Sequence, residues 1–409
     1  LQARENSLLL VTHVAVRRGA FGLQIDDQTA AGIAQWCRYF DRVTYFGILQ
    51  DSEDNSSSST VWVDLADVDG ADRCELRALP RGYRLGQMLR QSHRVHKLLK
   101  NAVATHAHLC FTIGGLVGDW PAIAAFEARA QRRKYAAWID RVEPSIIRNR
   151  LQGGPVLKRA AAAIMLPIME KYTIRILSRS TVALLQGRDT FDHYASWAPN
   201  PHCTYDTHTH VRDEISGDAL ARKQACIESG EPLKIIYVGR AAPMKGPLDW
   251  IAVMDKLHHM KVPFRATWIG DGAALGQMRA RIDELGLMHV IDLAGFEGDR
   301  DKLLGAMRGS DLLVFCHKTP ESPRCLVEAL VSGCALAGYE SAYPKGLVED
   351  RGGAVFATQD DIVSLAGHIG NLHRDRGALA GLVSNAAASG RLYNEDAVYA
   401  HRAKLMQLA

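Results

Sequence analysis

Two cations, Arg240 and Lys245, are bracketed by Gly239 and Gly246 directly after the apolar run Leu233–Val238. A buried strand that opens into a glycine-bounded turn lets backbone approach a ligand closely, and a guanidinium and an ammonium placed there can reach two sides of one phosphate. The chemistry this permits is charge neutralisation of a pyrophosphate. A second segment, Thr319-Pro320-Glu321-Ser322-Pro323-Arg324-Cys325-Leu326-Val327-Glu328-Ala329-Leu330, reads as the start of a helix. Ser322 suits the N-cap and Pro323 the first turn, so the amides of Arg324, Cys325 and Leu326 would point outward and could hold a diphosphate without a metal. Glu328 falls further in, on an otherwise apolar helix, where a carboxylate needs a partner. A ribose diol would supply two donors, and a neighbouring Lys or Arg would serve equally.

Other candidates also sit at predicted strand ends. Gly270-Asp271-Gly272 closes the strand carrying Trp268 and Ile269, and Leu293-Ala294-Gly295-Phe296 leaves another strand where a flat base could stack or bond to backbone. Gly19 and Gly22 follow the first strand as a ligand loop or a surface turn. Asp140, in Trp138-Ile139-Asp140-Arg141-Val142-Glu143, would touch a sugar or an acceptor hydroxyl, or else cap a helix or pair with Arg141. His202, His208 and His210, with Cys203 and Asp206, are metal-ligand types but lack any established ligand spacing. His93, His96, His106 and His108 lie near a helix end, where the dipole favours histidine for structural reasons. The first strand is not followed by a Gly-x-Gly-x-x-Gly turn, which argues against nicotinamide binding.

These residues must be positioned by alternating strands and helices. The pattern predicts strands at 8–11, 43–46, 109–113, 135–139 and 182–185, then at 233–238, 264–269, 290–293, 312–315, 335–337 and 354–356. Amphipathic segments lie between them, including 85–104, 156–177, 247–259 and 324–332. Short apolar runs separated by such segments imply parallel sheets covered on both faces. The Ser-rich stretch 51–60 reads as an exposed loop.

The 409 residues suffice for two full-sized cores, and 47% hydrophobic with 23% charged residues is ordinary for a globular chain. A net charge of +4 does not argue for nucleic acid. Between Arg129 and Arg188, however, thirteen Lys/Arg face three Asp/Glu, a surface suited to an anionic membrane, an acidic substrate or simply solvent. The eight cysteines are scattered and form no CxxC pair, as expected of reduced thiols in the cytoplasm. The first residues do not read as a secretory leader, and the longest apolar run, Ala160–Met169, is too short to span a bilayer and contains Pro167.

Gly-Arg-x4-Lys-Gly, Gly-Asp-Gly, the Ala-Gly-Phe strand exit and a glutamate before Glu-Ala-Leu, taken together from about Lys234 to Phe356, resemble the nucleotide-sugar domain of the family 4 retaining glycosyltransferases. The resemblance implies an α/β chain of the GT-B fold, with two doubly wound Rossmann-like domains facing across a cleft. An acceptor-binding domain would span 1–200, a linker 201–230 and a nucleotide-sugar domain 231–390, with a C-terminal helix at 391–409 returning to the first. Arg240 and Lys245 would hold the donor diphosphate in place of a metal, beside Gly270, Phe296, Arg324, Cys325 and Leu326. Glu328 would bind ribose and Glu321 the transferred sugar. The family has seven residues between its two glutamates whereas six separate these, so the strict position is Pro320. Gly22 and Asp140 would serve from the first domain.

The implied reaction is metal-independent, cofactor-free transfer of a sugar from a nucleotide diphosphate to an acceptor hydroxyl with retention. The acceptor would be a glycan, a lipid-linked sugar or a small molecule, with peripheral attachment at the inner membrane face compatible with the basic stretch. Other readings are a sugar-nucleotide epimerase or phosphorylase of the same fold, or a nucleotide-sugar-binding protein without turnover.

Overall fold

The computed structural model describes residues 4–50, 61–151, 155–319 and 322–408. The chain divides into two compact units, Leu1–Tyr205 with Tyr399–Ala409, and Asp206–Val398.

The first unit contains strands β1 (Arg4–Arg18), β2 (Leu23–Asp26), β3 (Arg42–Leu49), β4 (Trp62–Asp64), β5 (Cys74–Leu79), β6 (His106–Thr112), β7 (Ala136–Ile139), β8 (Val182–Gln186) and β9 (Pro201–Thr204). The parallel part of its sheet runs β5-β3-β1-β6-β7-β8-β9. Leu9 and Val11 enter one core with Phe46, Phe111 and Trp120, while Leu8 and Leu10 enter the other with Trp36, Val43 and Met406. This period-two alternation of buried apolar residues is what a strand covered on both faces requires. Met406 belongs to the helix Glu395–Leu408, whose fully buried Arg402 lies over the Trp138 ring at 4.4 Å and donates to the Tyr205 carbonyl at 3.2 Å.

The second unit contains β10 (Leu233–Val238), β11 (Phe264–Ile269), β12 (Ile291–Gly295), β13 (Leu312–Phe315), β14 (Ala335–Tyr339) and β15 (Ala354–Ala357), all parallel in the order β12-β11-β10-β13-β14-β15. Both units are thus Rossmann-like α/β layers. Hydrophobic periodicity located β10, β11, β13 and the helices Val156–Leu177 and Pro247–His259 at the expected bounds.

The differences lie where periodicity is weak. β2, β4 and β5 are short or only half-buried, so too few residues carry the pattern to mark a strand. β1 continues well past Val11 into a hairpin. The stretch expected to separate the halves is itself structured, carrying β9 and the helix Gly217–Glu228, which Ser216 caps through the Ala219 amide at 3.3 Å. The Ser-rich stretch 51–60 lies outside the described residues.

Candidate active site

The order of the second sheet reverses direction between β10 and β13. Loops leaving their carboxyl ends therefore diverge and leave a crevice, the place where open α/β sheets bind ligands. Arg240 and Lys245 follow β10, and the segment from Cys316 follows β13.

Backbone bonds hold these loops together. Ala241 donates to the Asp271 carbonyl and Ala274 to the Ala241 carbonyl, both at 2.9 Å, and the Lys318 amide donates to the Met244 carbonyl at 2.9 Å. The glycines serve this packing: a Cβ on Gly246, where φ is +61°, would fall 2.0 Å from the Cys316 carbonyl oxygen, and one on Gly270 would fall 2.1 Å from that of Gly239. Glycine spacing thus reports loop packed on loop. Arg240 is exposed and makes no ion pair among the described residues, whereas Lys245 is half-buried.

An aromatic cluster lies on the elements that flank the pair. Trp250 meets Trp268 edge-on, Tyr237 lies over Trp268 with centroids 4.1 Å apart, and the Tyr237 hydroxyl is 2.9 Å from Nε2 of His317. Burial, reinforced by the charge of Lys245, pushes the His317 imidazole down to about 3, so it stays neutral at physiological pH. Lys318 pairs with Asp249 and Asp360, and the Tyr339 hydroxyl donates to Asp249 at 2.7 Å. These contacts pin the β13 exit to the helix Pro247–His259. Sequence reading passed over His317, Lys318 and Asp249; the signal available was their position at the exit of a central strand or in the first turn of the following helix.

The helix expected after Ser322 begins at Arg324, with Pro323 at the cap and no side-chain capping bond; Ser322 is exposed. Proline at the cap supplies no hydroxyl, and the Leu326 amide turns back to the Pro323 carbonyl at 3.2 Å. That amide, one of the three expected to face a diphosphate, is already engaged. Cys325 and Leu326 are buried and Arg324 is exposed. Glu321 lies outside the described residues.

Glu328 has a cation partner: Arg300 Nη1 donates to its Oε1 at 2.8 Å. Arg300 Nη2 reaches Asp213 Oδ2 at 3.0 Å and the His208 carbonyl at 2.9 Å. Burial alone would raise the Asp213 carboxyl, but the His210 amide and Arg300 hold it below its usual range. Phe296, at the β12 exit, is 79% exposed, an uncovered ring on which a base could stack.

In the first unit Gly22 closes the hairpin between β1 and β2, its carbonyl accepting from the Gly19 amide at 2.7 Å, so this turn opens no helix. Asp140 is exposed just beyond β7, and Arg141 bonds Glu143 at 2.7 Å. His96 pairs with Glu127 at 2.8 Å, and His106 bonds the Ala102 carbonyl and Thr44. His208 and His210 flank Glu395, and among the described residues no group of three or more His, Cys, Asp or Glu could hold a metal ion.

Residues 221–389, which include Arg240, Lys245, Phe296, Arg300, His317, Lys318 and Glu328, match the family model for glycosyl transferases group 1. This stretch is similar to group 1 domains. No curated protein gives a significant match. Among solved structures the chain is similar to Anabaena HepE in complex with UDP, with 14% identity, 98% of this chain and 100% of that one covered, and a TM-score of 0.65. Sucrose-phosphate synthase from Thermosynechococcus elongatus aligns at 12% identity over 99% of both chains, with a TM-score of 0.61. The lipopolysaccharide outer core galactosyltransferase WaaB aligns at 10% identity over 98% of both, also at 0.61. With these GT-B proteins the chain shares the fold, and the matched stretch 221–389 lies within the second unit.

Proposed function

We propose that the chain is a retaining, metal-independent glycosyltransferase that moves a sugar from a uridine diphosphate donor to an acceptor hydroxyl. The observation that carries this reading is the Arg240–Lys245 pair at the reversal point of the second sheet, within the stretch similar to group 1 domains. The acceptor attacks on the face from which the diphosphate departs, a donor phosphate oxygen takes its proton, and the two cations neutralise the leaving group. Glu328 receives the ribose, and Phe296 offers a face to the base. The uridine assignment is motivated by HepE, which has been crystallised with UDP and with UDP-glucose.

A thermal-shift panel of UDP, GDP, ADP and CDP, followed by product analysis with the matching sugar nucleotides, tests it. Stabilisation by UDP and an α-linked product from an α-linked donor are expected. Inverted product would sink retention, interconversion of sugars would favour an epimerase, and tight nucleotide binding without turnover would favour a binding protein. Chelator should leave transfer unchanged.

The acceptor side carries a membrane reading. No helix among the described residues is long and apolar enough to cross a bilayer. The helix Val156–Leu177, however, exposes Leu157, Ile164 and Ile168 alongside Lys158, Arg159, Lys171 and Arg175. Apolar side chains flanked by cations suit an anionic lipid surface, and hence a lipid-linked acceptor. Flotation with vesicles containing phosphatidylglycerol should recover the chain at low salt and lose it at high salt, and Leu157→Glu with Ile164→Glu should abolish recovery. Wild-type protein that stays at the bottom at low salt would exclude the surface.

A further inference from the structure

The first sheet also reverses direction, between β1 and β6, and there a histidine and a buried carboxylate meet. β1 pairs in register with β6 from Leu8 to Val11, opposite His108 to Phe111, and its pairing with β3 shifts between Val11 and Ala15. A register break of this kind re-aims the side chains within it. His13 lies in the break, with Nε2 3.2 Å from Asp119 Oδ1.

Asp119 is almost wholly buried and firmly held. Its Oδ2 accepts from the amides of Gly114 and Gly115 at 3.3 and 2.9 Å, and its Oδ1 from Ala122 at 2.9 Å, where it caps the helix Trp120–Ala130. A carboxylate this constrained fixes the imidazole facing it, whose side chain remains 28% exposed. Nε2 is buried beside the carboxylate without an aligned hydrogen bond, and in the neutral ring a proton held there by the carboxylate's charge leaves Nδ1 as an acceptor.

We propose that His13, oriented by Asp119, is the group of the first unit that binds a hydroxyl of the sugar acceptor. This rests on the reading of that unit as the acceptor side. The Nδ1 lone pair receives a hydrogen bond from the hydroxyl and orients its oxygen; no bond is made or broken at His13. The site sits where doubly wound sheets bind ligands, independently of the second unit's motifs.

Burial alone would lower the imidazole's pKa, but Asp119, with Asp140 and Glu143 beyond the end of β7, raises it above the ordinary value. Nearby, Arg141 pairs with Glu143, Tyr83 senses both Arg81 and Asp119, and Tyr172 senses Asp119. Protonation of Nδ1 removes the acceptor lone pair. Binding of a hydroxyl is therefore strong above the raised pKa and weakens as pH falls through it.

The test is histidine 13Cε1 NMR on the full chain, with the His13 signal assigned by its loss in His13→Gln, or in His13→Asn should that variant fold poorly. Methyl α-glucoside, methyl α-galactoside and methyl α-mannoside are the probes. At least one should move the His13 signal saturably, with apparent affinity falling several-fold as the imidazole protonates. UDP should stabilise His13→Gln as it does the wild type. A His13 signal unmoved by all three glycosides, or affinity that rises on protonation, overturns the proposal. Absence of UDP stabilisation in the wild type would instead overturn the donor reading, leaving the glycoside result to stand by itself.

Discussion

Lys245→Ala is expected to lower sugar transfer roughly 10²-fold or more, the loss typical when one fixed group stabilising developing negative charge is removed. The charge on the departing diphosphate grows as the sugar leaves, so the ammonium acts more strongly on the transition state than on bound donor. The fall should therefore appear in kcat, with a smaller rise in donor KM. Half-burial of Lys245, and the neutral His317 beside it, make the site less water-like than the exposed Arg240 position. Arg240→Ala should accordingly cost less than Lys245→Ala. Initial rates at varied donor concentration measure both effects. Turnover in Lys245→Ala within a few-fold of wild type would remove Lys245 from the leaving-group site.

The parts of this arrangement legible in the sequence are those written in local pattern. β10 and β13 are near-continuous apolar runs ending at turns, so Arg240 and Lys245 could be placed at a strand exit without knowing the sheet order. What the pattern does not carry is which strands become neighbours. The importance of His317 follows from β13 lying next to β10, and that of His13 from β1 lying next to β6. Both adjacencies come from long-range pairing, and a lone histidine beside a strand has no periodicity to mark it. Helix capping shows a different failure. Ser322 before Pro323 satisfies every local preference for an N-cap, but the helix begins one residue later with proline at the cap. The charged edge strand β5, Cys-Glu-Leu-Arg-Ala-Leu, does alternate apolar and polar residues, but it lacks β-branched and aromatic side chains and only Leu79 is buried, so little marks it as a strand.

Glu328→Gln should weaken UDP binding by roughly tenfold, since an amide keeps the shape but loses one charge-assisted acceptor for the ribose hydroxyls. Arg300→Gln tests how that carboxylate is positioned. The guanidinium spans Glu328, Asp213 and the His208 carbonyl, and thereby joins the start of the helix Arg300–Gly309 to the segment preceding the helix Gly217–Glu228. If ribose is held by Glu328 Oε2 while Oε1 is held by Arg300, loss of the guanidinium frees the carboxylate to rotate away. Donor KM should rise several-fold with kcat little changed, the signature of lost ground-state positioning. Stability should fall by only about 1 kcal/mol, because Arg300 is partly exposed and Asp213 keeps the His210 amide as a partner. In the double variant the two effects on UDP affinity should be less than additive, because both act through one carboxylate. Strict additivity, or an Arg300→Gln variant that binds UDP like wild type while Glu328→Gln does not, would show that Glu328 meets the ribose without help from Arg300. Strong destabilisation by Arg300→Gln with UDP affinity retained would assign the network to holding the unit together and leave the ribose to another group.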